Sequence, residues 1–104
     1  MMDEPNQLLD ELTATHVAEL FRAFSDTSRV QLLYLLAIRE YSVGTLAGLI
    51  GITGSAVSHH IRNLRQMGLI RARRGGKEVY YHIDDPHIIN LFMQGVSHIH
   101  QEAS

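Results

Sequence analysis

From Ser42 to Leu69 the chain reads SVGTLAGLIGITGSAVSHHIRNLRQMGL, and this stretch limits the fold more than any other. Ser42 offers a capping oxygen, and Leu46, Leu49 and Ile50 recur at helical spacing as far as Gly51. Ile52-Thr53-Gly54 then leaves room only for a tight connection. A second helix starts near Thr53 or Ser55, with Val57, Ile61, Leu64 and Met67 on one stripe. It ends at Gly68, a natural left-handed cap. A short helix, a glycine-bearing turn and a second helix make a helix-turn-helix.

The flanks complete the plan. Val17, Leu20, Phe21 and Phe24 form one amphipathic stripe, and Val30, Leu33, Tyr34 and Ala37 form another behind the capping run Ser25-Asp26-Thr27. After Gly68, two strand-like runs flank Gly75-Gly76, a pair suited to a primed hairpin turn. Pro86 opens a last helix with Asp85 at its N-cap. The expected fold is mainly α with a small β-hairpin: a winged helix-turn-helix of five helices and a two-stranded wing. Residues 1–12 read as a flexible N-terminal segment, poorly ordered or loosely helical, and 13–104 as one domain of ordinary size.

Charge is distributed to match. The net charge is only −2, but residues 54–82 hold Arg62, Arg65, Arg71, Arg73, Arg74 and Lys77 against Glu78 alone. Acidic ends surround this basic middle, which is the footprint of a polyanion partner. In a helix-turn-helix the N-terminal part of the second helix meets base edges and the flanking groups hold phosphate. Thr53, Gly54, Ser55, Ser58 and His59 therefore point to the major groove of double-stranded DNA. Arg62 and Arg65 lie further along, and Arg71, Arg73, Arg74 and Lys77 lie on the wing. His59 and His60 stand about 100° apart on a helix and cannot both face one ion unaided. His59 reads as a DNA contact, with solvated surface or a metal as its other readings, and His60 as a bystander.

No cysteine is present, so disulfides and thiolate metal sites are excluded. LLYLLAI is too short to span a bilayer, and MMDEPNQLLDEL lacks a signal-peptide core, so a cytoplasmic protein is expected, with no membrane partner. No nucleophile elbow, phosphate loop or HExxH occurs, which speaks against an enzyme and a small organic substrate. A winged helix used only for protein contact is disfavoured by the arginine-bearing wing.

The runs LFRAFSDTSRVQLLYLL, VGTLAGLIGITGSAVSHHIRNLRQMGLI, RARRGGKEVYYHIDDPHI and LFMQGVSHIH resemble the ArsR/SmtB family of metal-sensing repressors over about residues 13–101. The resemblance implies a homodimer that binds operator DNA and releases it when a metal binds. Ser42 and Gly44 stand where one family site has its Cys-x-Cys pair, so that soft-metal site is absent. The other family site, on the last helix, implies Asp85, His87 and His98 as ligands, but position 101 is Gln.

The spacing alone is informative here. His87 and His98 share a helix face about 16 Å apart, so one helix cannot bring them to one ion. Antiparallel last helices across a two-fold axis would place Asp85 and His87 of one chain beside His98 of the other, a set suited to Zn(II), with Co(II) or Ni(II) also accommodated. The fourth ligand is Glu102 at i+4, His100, or Gln101 or a water. Asp85 as a mere cap, and the histidines as polar seam residues, belong to the alternative: a regulator of the same fold that senses no metal. His16 and His82 read as structural or surface residues. Ile88, Ile89, Leu91, Phe92, Val96 and Ile99 leave the last helix apolar nearly all round, so it should pair with a partner subunit, aided by the first helix.

Overall fold

The computed structural model describes residues 7–103, and the side chains of 7–101. Five helices and three strands follow in order: α1 (Glu11–Arg22), α2 (Thr27–Ile38), β1 (Tyr41–Ser42), α3 (Val43–Ile50), α4 (Gly54–Gln66), β2 (Arg71–Gly75), β3 (Glu78–His82) and α5 (Pro86–Ala103). Polar caps set the helix starts. Asp10, Asp26, Ser42 and Thr53 each accept the amide three residues on. Asp85 does the same one residue closer, its Oδ1 accepting from His87 N at 2.9 Å. Gly51 ends α3 with φ 82°, and Gly68 follows α4 with φ 76°.

The element bounds and the sheet differ from the expected plan in three ways. The cap at Asp10 starts α1 at Glu11, two residues before the expected domain start at 13. The sheet has three strands in the order β1-β3-β2, because Tyr41 and Ser42 pair with Tyr81 and Tyr80. The expected wing is the β2–β3 hairpin of that sheet. Its turn lies one residue later than expected: Gly75 pairs with Glu78, leaving Gly76 and Lys77 at the tip, with φ 66° at Gly76. A positive φ at the first tip residue alone is the type II′ pattern.

The core sits between α2, α3 and α4. Leu32, Leu33, Leu36, Leu46, Val57 and Leu64 are fully buried there, with Ile61, Leu69, Ile70 and Ile83 beside them. The α2 stripe is rotated from the expected one, since Leu32 and Leu36 face inward while Tyr34 is exposed. Leu49 and Met67 are also exposed, as are Val17 and Phe21, and α1 buries no residue fully. Ile83 N donates to Leu36 O at 3.1 Å, fastening the end of β3 to α2. No described helix is long and apolar enough to cross a membrane.

Candidate nucleic-acid interface and metal-ligand residues

Burial of Val57, Ile61 and Leu64 turns the opposite face of α4 outward. Ser55, His59, Arg62 and Arg65 are exposed on it, and Ser58 is half-buried. Thr53 precedes them with its Oγ1 accepting from Ala56 N at 3.0 Å, so its oxygen serves the helix start while the residue stays exposed. His59 Nε2 lies 3.4 Å from Asn63 Nδ2, one turn along. Ser58, Arg62 and Arg65 line a shallow groove with Val43, Gln66 and Tyr81, which joins the α4 face to the sheet.

His60 is turned the other way. Its side chain is largely buried, with Nε2 3.9 Å from Asp26 Oδ2 and, among the described residues, no hydrogen-bond partner for Nδ1. Burial pushes its pKa down, against an opposing pull from the Asp26 carboxylate. The two neighbouring histidines thus divide, one on the outward polar face of α4 and one against the cap of α2.

On the wing, Arg74 and Lys77 are exposed, and among the described residues neither has a carboxylate within 4.0 Å. Arg71 and Arg73 differ. Arg71 Nε lies 3.3 Å from Asp84 Oδ2. Arg73 holds Glu40 in a two-pronged contact, Nε to Oε2 and Nη2 to Oε1, both 2.8 Å. That contact lowers the Glu40 pKa and raises that of Arg73. Glu40 and Asp84 had no signal in the sequence reading, because Glu40 is 33 positions from its partner.

At the start of α5, Asp85 Oδ1 is 3.4 Å from His87 Nδ1, so two of the expected ligands already stand together, both exposed. His98 and His100 border an open apolar groove of about 700 Å³ with Phe21, Phe24, Val30, Leu91, Phe92 and Ile99. Gln101 lies in the last turns of α5, and the Glu102 side chain falls outside the described residues. No group of three or more His, Asp or Glu able to hold an ion occurs among the described residues of one chain. The donors suit Zn(II) by their chemistry, but the described residues of a single chain do not gather them.

A helix-turn-helix with a cation-bearing hairpin beside its outward polar face defines a winged helix-turn-helix DNA-binding protein. Residues 26–72 match the bacterial regulatory protein, arsR family. The chain is 40% identical over 88 residues to the transcriptional repressor SmtB homolog of Synechocystis sp., covering 85% of this chain and 67% of that one. It is 37% identical over 89 residues to the cadmium resistance transcriptional regulatory protein CadC homolog of Staphylococcus aureus, covering 85% and 74%. A homodimeric winged helix-turn-helix DNA-binding domain from Mycobacterium bovis, solved by NMR, superimposes with TM-score 0.76 at 31% identity, covering 96% of both chains. The chain belongs to the arsR family: it is a transcriptional regulator and not an enzyme.

Proposed function

We propose that this regulator is a metal-responsive repressor that binds operator DNA as a homodimer and is released when Zn(II), or a similar divalent ion, binds between the last helices of the two subunits. The observation that carries the reading is α5 itself. It begins with Asp85 and His87 already adjacent, and its far end carries His98 beside an apolar groove that one chain leaves open. Membership of the arsR family and likeness to a cadmium-resistance regulator support a metal as the effector.

Asp85 and His87 of one chain, with His98 of the partner subunit, are the residues that would hold the ion, and the fourth donor comes from Glu102, His100 or Gln101. Bound there, Zn(II) supplies a cross-link between subunits without redox chemistry. The two α5 helices set how the chains sit on each other. They thereby set the spacing of the two α4 helices, which must meet successive major grooves about 34 Å apart. Thr53, Gly54, Ser55, Ser58 and His59 read bases, and the neighbouring cations hold phosphate.

Fluorescence anisotropy of the protein on its operator, titrated with Zn(II), Co(II) and Ni(II) in turn, tests this. Tight binding that each effective ion weakens is expected. Binding indifferent to all three would leave a regulator of this fold that senses no metal.

A further inference from the structure

The six cations assigned to DNA do not share one environment. In the wing, Arg71 pairs with His82 and Arg73 with Tyr80, while Ala72 pairs with Tyr81 and Arg74 with Val79. Cross-strand partners share a face and alternate along the strand. Tyr81 lines the groove with Ser58, Arg62 and Arg65 of α4, so Arg74 lies on the sheet face turned toward the reading helix. Arg71 and Arg73 lie on the reverse face, and both are held by carboxylates there. Among the described residues, Arg62, Arg65, Arg74 and Lys77 have no such partner within 4.0 Å.

The Arg73 contact is supported from several sides. The Arg73 guanidinium carbon lies 5.2 Å from the centroid of the Tyr80 ring. Gly75 follows on the same face, and a Cβ there would stand 2.9 Å from that ring, so the missing side chain leaves room for Tyr80 to lie across the strand. His82 Nδ1 closes the other side of the carboxylate, 3.6 Å from Glu40 Oε2. Glu40 immediately precedes β1, and β3 lies between β1 and β2. The ion pair therefore spans the whole sheet and ties its outermost strand to the body of the domain.

We propose that Glu40 is the positioning residue of the wing and that Arg73 is its anchor rather than a phosphate contact. Arg62, Arg65, Arg74 and Lys77 are then the cations that meet the DNA backbone. This rests on the DNA-binding reading and revises its contact set.

The test compares wild type, Glu40→Gln, Arg73→Gln, the double variant, Arg62→Gln and Arg74→Gln on duplex DNA of arbitrary sequence over a range of salt. A two-pronged but partly exposed pair should weaken binding about three- to fivefold in either single variant. The double variant should be no worse than the singles, because the residues act as a unit. All three should keep the wild-type salt slope, whereas Arg74→Gln should lower it by about 0.9, one phosphate. In the protein without DNA, Glu40→Gln should speed amide exchange across β2 and β3 only. The proposal is overturned if Arg73→Gln flattens the slope as Arg74→Gln does, if Glu40→Gln tightens binding, or if the wing amides are unmoved. Should Arg62→Gln and Arg74→Gln both leave the slope intact, the DNA reading itself fails, and amide exchange still decides the clamp.

Discussion

The two halves of this molecule are finished to different degrees. All six fully buried large side chains come from α2, α3 and α4. Among the described residues the α1–α5 flank adds only Ala23 and Phe92 to the buried core; Phe92 meets Phe24 edge-on at 5.7 Å, while Phe21 is 50% and Ile99 64% exposed in the single chain. The radius of gyration, 15.9 Å, exceeds the roughly 13 Å of a compact chain this long. The half built on α2, α3 and α4 closes its core within one subunit; the flank holds apolar surface that a second subunit would cover.

The largest effect should come from breaking the finished half. Leu64→Ala opens a cavity beneath the reading helix and should cost about 2–5 kcal/mol, read from the urea midpoint. Ile99→Asp should behave in the opposite way, leaving the fold intact and dissociating the dimer by sedimentation velocity. If Ile99→Asp unfolds the protein as severely as Leu64→Ala, the two halves are not distinct.

Next in size is the coupling between halves. Zinc should weaken operator affinity by about 1–3 kcal/mol, the usual allosteric range. His87→Ala or His98→Ala should erase that effect and spare binding without metal. If zinc sensitivity survives in both variants, the ion acts elsewhere, and the exposed His59 is the next residue to change. For the fourth donor, zinc affinity should drop sharply in Glu102→Gln and hardly at all in Gln101→Ala; the reverse result would give the place to Gln101.

A smaller effect should sharpen the reading face. Ser58→Ala and His59→Ala should each lower the ratio of operator to random-duplex affinity, by on the order of 1 kcal/mol, with the salt slope kept. Equal losses on both duplexes would make these residues backbone contacts instead.

What the sequence disclosed divides along the same line. The helix-turn-helix was legible because its signals are local: a serine cap, glycines at left-handed positions, and a 3.6-residue stripe ending at Gly68. The period-2 alternation likewise put Arg71 and Arg73 on one face of β2. It did not say what that face meets, because Glu40 approaches from 33 positions away. The third strand was hidden for a related reason: two residues, Tyr41 and Ser42, show no alternation and pair only because β3 arrives beside them. In α2 the stripe was misread since LLYLL is apolar on most faces, and tertiary packing chose Leu32 and Leu36 over Tyr34. The family resemblance proposed Asp85, His87 and His98 as ligands on α5, and only contacts between subunits, which a single chain does not contain, could bring them to one ion.

The smallest expected effect lies inside the finished half, at the seam between α4 and the α2 cap. Burial lowers the folded-state pKa of His60 below its ordinary 6.5, while the unfolded chain titrates normally. The unfolded state therefore takes up a proton first as pH falls through 6.5. His60's contribution to stability is complete above that pH and is lost as pH falls through the depressed folded value. Asp26 opposes the shift, and Arg29 and His59 reinforce it. His60→Gln should flatten the acid limb of a plot of urea midpoint against pH. Asp26→Asn keeps a capping oxygen for Arg29 N but removes the charge facing the imidazole, so it should steepen that limb. Parallel curves for wild type and His60→Gln on both sides of pH 6.5 would show that this histidine titrates in the folded protein as it does in the open chain, and that the seam is wetter than its burial indicates.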